Sequence, residues 1–279
     1  MNTKKTSIVL MFMRLILIFM AVISLLPIMF AFFTSFKSDM EFYKNIWALP
    51  ETPRIQNYFD AITIGRVGEY AVNSVVIAVI SLTVAIVVSV FAAYALARMN
   101  LPGAEILLLL MLLIQILPTE SLLIPIYKMV SSLGLLKIRY AGIIIPYIAW
   151  LLPGNIIILA NFFKTIPLEL LESARIDGAG ELKTMTNIMV PLMKAPISTC
   201  LVLDFCFVWG ELMWAQIATL TSEKGLPLTI GLLNFKGLYS TDWGLMTAAI
   251  CIIVIPLYVM FLFTQKYFVA GLTAGGVKG

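Results

Sequence analysis

From Ala71 to Ala97 the chain carries no charged side chain, and none occurs from Ala141 to Phe163. About 20 apolar residues suffice for a helix to cross the hydrocarbon of a bilayer. The whole composition agrees. Of 279 residues, 61% are hydrophobic and 12% charged, and the mean hydropathy is +1.00. A soluble domain carries about twice that charged fraction. Four further stretches are long enough to span: Ile8–Phe33, Ile106–Tyr127, Ala195–Ala218 and Trp243–Tyr267. The expectation is an all-α polytopic membrane protein, one domain over 1–279 with six spans at about 8–33, 71–97, 106–127, 141–163, 195–218 and 243–267. Helices are expected because backbone groups in lipid must be paired within the segment. Barrel strands would alternate in polarity, and these runs do not.

Composition also excludes. The chain has no histidine, which removes imidazole metal sites, histidine triads and histidine proton shuttles. Cys200, Cys206 and Cys251 lie in apolar runs without metal-ligand spacing and read as buried structural thiols. The net charge of +4 is scattered, so nucleic acid is not an expected partner. No P-loop occurs, nor a GxGxxG between a strand and a helix. No catalytic set, metal or cofactor is expected, and any ATP used is hydrolysed by another chain.

Lys4 and Lys5 precede a first apolar run too long for a signal peptide, so it reads as a retained helix. Six spans put both termini on one side. That side holds ten of the nineteen Lys and Arg residues, a near balance, but the two leading lysines favour a cytoplasmic N-terminus. Both termini are therefore expected in the cytoplasm.

The segment between the fourth and fifth spans, 164–194, is charged and neutral overall, with Lys164, Arg175, Lys183 and Lys194 against Glu169, Glu172, Asp177 and Glu181. Pro167 suits a helix start, and Glu169 in the first turn suits the helix dipole. Leu168, Leu171 and Ala174 share a side. Gly178 permits a turn at positive φ. A second short helix follows with Leu182, Met185, Ile188 and Met189 on one face, ending at Pro191. Two amphipathic helices joined at Asp177-Gly178-Ala179-Gly180 either pack on their own bundle or dock in a groove on another protein.

Glu172-Ser173-Ala174, then Gly178, then Ile188, Val190 and Pro191 resemble the "EAA" loop of binding-protein-dependent ABC importer permeases. That pattern reads E-A-A, three residues, G, nine residues, I-x-L-P. Ser173 stands for an Ala and Val190 for a Leu. The likeness extends over most of the chain, through "NSVVIAVISLTVAIVVSVFAAYALAR" with "LPG" after it, "ILPTESLLIPIYKMVSSLGLL" and the terminal "QKYFVAGLTAGGVKG". It is greatest to the smaller, maltose-type permease of carbohydrate importers. The resemblance implies a permease in the bacterial plasma membrane that pairs with a homologous second permease. Two cytoplasmic ATPase subunits drive the pair, and an extracytoplasmic solute-binding protein delivers a sugar. It implies an ATPase-coupling role for Glu169, Glu172, Ser173, Ala174, Asp177, Gly178, Ala179 and Gly180.

Acids inside the membrane are the other signal. Cys200, Asp204, Phe207, Glu211 and Trp214 follow helical spacing along the fifth span. A charge at the bilayer centre costs at least ~2.5 kcal/mol, so this stripe should face protein or water. Carboxylates and aromatic rings suit a sugar path, and Glu120, between Pro118 and Pro125, is a further candidate. Alternatively, Asp204 pairs within the bundle, Glu211 and the tryptophans Trp209 and Trp214 sit at the interface, and the third span ends near Pro118. The family's usual Trp-Asn before an acid is here Trp209-Gly210-Glu211, without the Asn. The loop Thr219–Asp242 is expected to be amphipathic and exposed, and it resembles the binding-protein contact of such subunits. A permease for glycerol 3-phosphate or another polar solute is the nearest alternative. A self-contained channel or scaffold is a more distant one. The spans hold no mid-membrane cation, which favours a neutral solute.

Overall fold

The computed structural model describes residues 3–220, 225–237 and 241–276, with side chains over 10–220, 225–237 and 241–265. In chain order the helices are α1 (Thr3–Thr34), α2 (Asp39–Lys44), α3 (Gln56–Thr63), α4 (Val67–Arg98), α5 (Ala104–Ile114), α6 (Leu123–Ser132), α7 (Ala141–Thr165) and α8 (Glu169–Ile176). There follow α9 (Glu181–Thr184), α10 (Val190–Leu192), α11 (Lys194–Gly210), α12 (Met213–Ala218), α13 (Leu228–Gly231) and α14 (Trp243–Gly276). No strand occurs among the described residues; one isolated bridge joins Lys236 and Thr241.

Among the described residues, four helices are long and apolar enough to cross a membrane unbroken: α1, α4, α7 and α14. They tolerate internal prolines, at Pro27 in α1, Pro146 and Pro153 in α7, and Pro256 in α14. No residue in the most apolar window of α1 is buried, whereas half of the α7 window is. α7 is thus the more deeply packed of these helices, and the apolar surface of α1 is left uncovered.

The third and fifth spans depart from the expectation of single helices. α5 ends at Ile114, and the chain turns by 94° before Thr119–Ser132. The cause is Pro118, which lacks an N–H and takes an extended ψ of 125°. Pro125 lies in the first turn of α6, where no donor is missed. In the fifth span α11 stops at Gly210, and Glu211 is extended with ψ 128° before α12 resumes. The stripe from Cys200 to Trp214 is therefore split over two helices. A further bend of 75° separates Glu181–Leu192 from α11.

The chain divides into two compact units. The first takes Met1–Gly68 and Gly231–Val254. Its ordering residues are polar: Asn57 donates to the carbonyls of Ser35 and Lys37, and buried Lys37 donates to those of Asn45 and Ile46. Phe42 stacks on Trp243 at 5.2 Å. Gly244 presses so closely on the Lys37 carbonyl that a Cβ would stand 2.6 Å from it.

The second unit takes Glu69–Ile230 and Ile255–Gly279. Its core joins Val90, Ala93 and Tyr94 of α4, Ile156, Leu159, Ala160 and Phe163 of α7, Leu171 of α8, Met185, Met189 and Met193, and Cys200 of α11. Cys200 is a buried thiol as expected, but Cys206 is exposed and Cys251 only partly covered. The loop expected to be exposed over Thr219–Asp242 is partly tucked in. Leu228 is buried in the second unit and Phe235 in the first, each by its own apolar side chain. Residues 221–224 and 238–240 of that loop lie outside the described residues.

Candidate functional site

The charged loop forms a two-armed knob. α8 starts with Glu169 and Glu172 in its first turn, where carboxylates complement the exposed N–H groups. It ends in a bend that Gly178 makes possible at φ +78°, with nothing within 4 Å of where a Cβ would stand. The Ala179 N–H reaches the Ala174 carbonyl at 2.9 Å and the Gly178 N–H that of Arg175 at 3.1 Å, the paired closure that satisfies the last carbonyls of a helix. Gly180 then opens α9 in extended conformation.

The second arm is more irregular than expected. It passes through a π-helical turn at Met185–Met189, in which the Val190 N–H reaches back five residues to the Met185 carbonyl. Pro191 has no N–H to offer the carbonyl of Asn187, so the ladder shifts register before the proline. Leu171, Ala174, Met185 and Met189 face the core as expected. Leu168 and Leu182 do not. Both stand in the opening turn of their helices, beyond the core's edge, and are exposed. At the tip Ile176 is 85% exposed.

Two side chains of α4 hold the base of this knob, and neither is among the expected site residues. The Arg98 guanidinium donates to the carbonyls of Phe163 and Ile166 at the end of α7, where a cation suits the helix dipole. Tyr94, buried and edge-on to Phe163, donates to Glu181 Oε2 at 2.7 Å. Glu181 Oε1 in turn accepts from Arg175 at 2.7 Å. The available signal was positional: Tyr94 and Arg98 are one helical turn apart at the charged end of an apolar run.

In the membrane segment Asp204 and Asn155 are both buried, and the Asn155 amide donates to Asp204 Oδ2 at 2.6 Å. Glu211 accepts from the backbone N–H groups of Trp214 and Ala215 at 2.7 and 3.0 Å, and from the Tyr147 hydroxyl at 2.6 Å. Its carboxylate thus begins α12 and ties it to α7. Trp214 is fully buried with its indole N–H on the Gly142 carbonyl at 3.0 Å, and Trp209 is buried against Phe205. Neither tryptophan is an exposed interfacial anchor.

Phe207 keeps an open face and meets Trp150 edge-on at 6.2 Å. These two rings, with Gln115, Thr119 and Pro153, border a cavity of about 200 Å³. Glu120 is exposed in the 3-10 turn after Pro118. Of the expected path residues, Phe207, Trp214 and Glu211 meet through α7, since Trp150 lies edge-on to both Phe207 and Trp214 and Tyr147 joins Phe207 to Glu211, whereas Asp204 pairs with Asn155 and Glu120 stands exposed. Trp150 and Gln115 join Phe207; Asp204, Glu211 and Trp214 are engaged with protein. No group of metal-ligating side chains occurs among the described residues.

A profile described as "Binding-protein-dependent transport system inner membrane component" matches residues 85–273. The chain belongs to this family. The permease is 33% identical over 258 residues to the trehalose transport system permease protein SugB of Mycobacterium tuberculosis, covering 92% of this chain and 93% of that one. It is 32% identical over 271 residues to the melibiose/raffinose/stachyose import permease protein MelC of Bacillus subtilis, covering 96% and 97%. Its fold matches that of a chain in a bacterial ABC transporter for import of the polysaccharide alginate, with a TM-score of 0.81 at 22% identity over 96% of this chain and 99% of that one. The permease is thus a multi-pass, all-α membrane component of a transport system that works with a binding protein and ATPase subunits.

Proposed function

We propose that the permease translocates a sugar or oligosaccharide, paired with a homologous second permease and driven by two cytoplasmic ATPase subunits through alternating access. Relatives named for trehalose, maltose, melibiose and raffinose support the substrate class. The knob formed by Glu169, Glu172, Ser173, Ala174, Asp177, Gly178, Ala179 and Gly180 docks on one ATPase, on the same side as both termini. The observation that carries this is Ile176. An apolar side chain 85% exposed at the tip of a charged loop, with Leu182 exposed beside the bend, is the form of a partner-binding face. Glu172 supplies a carboxylate on the exposed flank of α8.

For the solute, Phe207 and Trp150 offer ring faces, and Gln115 and Thr119 offer hydrogen bonds, at the cavity they share. Asp204, Glu211 and Trp214 shape this region from behind, and Glu120 stands at its approach.

The test is retention of the cognate ATPase subunits on affinity-tagged permease extracted in mild detergent. Ile176→Asp and Glu172→Lys should each reduce retention at least about tenfold, the equivalent of losing a buried anchor of ~1.4 kcal/mol or more. Uptake of radiolabelled trehalose, maltose, melibiose and raffinose is measured alongside. Full retention with both variants would remove the knob from the interface.

A further inference from the structure

The knob is fastened at its base by one carboxylate with two donors. Glu181 opens the second arm; Arg175 lies at the end of the first arm, and Tyr94 lies on α4. Glu181 Oε1 accepts from Arg175 Nε at 3.1 Å and Nη2 at 2.7 Å, so the two arms are joined across the Gly178 bend. Glu181 Oε2 accepts from Tyr94 Oη at 2.7 Å, so the joined arms are tied to a membrane-crossing helix. The two links differ in surroundings. The Arg175–Glu181 pair is about half exposed, and an exposed pair of this kind is worth little by itself. The tyrosine is buried, its ring held edge-on at 5.7 Å by Phe163, which is itself fully buried. Its hydroxyl is therefore aimed by packing, and its one partner is a charged oxygen, the stronger kind of hydrogen bond.

A knob packed only by apolar contact could slide against α4 and α7, because its Met185 and Met189 side chains repack easily. A directed hydrogen bond from a fixed ring to the start of the second arm removes that freedom. We propose that Tyr94 and Glu181 form a latch that delivers movement of the knob to α4, with Arg175 keeping the two arms a single body. The assignment rests on the docking reading above. Tyr94 and Glu181 are positioning residues on this view; neither touches nucleotide or solute.

The test uses the complete complex of both permeases and both ATPase subunits in lipid nanodiscs. Phe207→Cys is introduced with Cys206 and Cys251 replaced by serine. Its reaction rate with a maleimide is measured with and without ATP and vanadate, alongside ATP hydrolysis and subunit retention. Tyr94→Phe and Glu181→Ala should each diminish the ATP-driven change in labelling at least about tenfold, the scale of one lost charged hydrogen bond. Retention and hydrolysis should stay within about twofold, and the double variant should be no worse than Glu181→Ala alone, because that variant already removes the partner of Tyr94. An unchanged labelling response in Tyr94→Phe overturns the latch and leaves the docking reading intact. Additive losses, or parallel loss of retention and hydrolysis, overturn it also, because either is what a merely structural pair would give. If the Tyr94-containing parent retains its ATPase subunits but shows no ATP-driven change, alternating access through the knob falls, and the latch with it.

Discussion

At the scale of single residues, the buried pair Asn155–Asp204 decides how an acid is held inside this membrane protein. The carboxylate has the Asn155 amide at 2.6 Å as its donor, and both side chains are buried. Removing one partner leaves the other to bear its own desolvation, whereas replacing both with apolar groups of similar shape can be nearly neutral. Asn155→Leu should therefore destabilise the permease by about 2 kcal/mol, while Asp204→Asn and the double leucine variant cost less. Cys200, buried one turn before Asp204, reports unfolding. In a Cys206→Ser, Cys251→Ser background, a thiol-reactive fluorophore followed during heating in detergent should show the lowest midpoint for Asn155→Leu. A midpoint equal to that of the parent would mean that the pair adds nothing to the fold. The acids of the fifth span were legible as residues that cannot face lipid. Their partners were not, because Asn155 and Tyr147 lie about 50 and 60 residues away on α7 and no local spacing joins them.

Among elements, proline and glycine explain most of what separates the expected helices from those observed. Pro118 and Pro191 were visible in the sequence, and each leaves a carbonyl without its donor. Whether the ladder then breaks, as after α5, or slips into a π turn, as before α10, depends on what the following residues can pack against. Gly178 was legible because only a positive φ closes so short a bend between two helices. The polar elements outside the membrane show the converse. α2 is only six residues long, and it persists through its capping box: the Glu41 N–H bonds to the Ser38 hydroxyl, and the Ser38 N–H to the Glu41 carboxylate. That N–H, with the Thr52 N–H and hydroxyl, holds the Glu41 carboxyl below the ordinary carboxylate value of 4.5. A pKa lower in the folded than in the unfolded state means stabilisation that is complete above 4.5 and is lost as pH falls through the folded value. Hydrogen exchange over 39–44, corrected for intrinsic rates, should show protection that is flat at neutral pH and declines below that point. In Glu41→Gln the decline should be absent and protection lower at pH 7. Persistence of the acid decline in that variant would assign it to another group.

At the largest scale, the hydrogen bonds order the crossings of the second unit, although only four helices among the described residues are unbroken spans. Arg98, at the end of α4, bonds the carbonyls that end α7, so these two ends lie at one membrane face. α7 crosses, so its start near Tyr140 lies at the other face. The chain must then pass from the first face to the second between Arg98 and Tyr140, where the bent pair α5–α6, joined by a 3-10 turn, is the long apolar segment. The pair therefore makes one crossing despite its 94° turn. The same logic applies to α11. It starts at the knob and leads to Trp214, whose indole bonds Gly142 at the beginning of α7. Asn73, near the start of α4, bonds the Leu226 carbonyl beyond α12, again at the second face. Within the second unit the chain thus alternates between two faces at α4, the α5–α6 pair, α7 and α11, with the knob on the face of Arg98. A re-entrant α5–α6 would instead put residues 101 and 133 on one side. Leu101, Leu133 and Ile176 are all exposed, and single cysteines there, in a background without native cysteines, discriminate the two. A membrane-impermeant maleimide applied to intact cells should label Leu133→Cys alone, and Leu101→Cys and Ile176→Cys should react only in inverted vesicles. Labelling of Leu101→Cys and Leu133→Cys from the same side would sink the single crossing of the α5–α6 pair and detach the knob from the face where an ATPase can reach it.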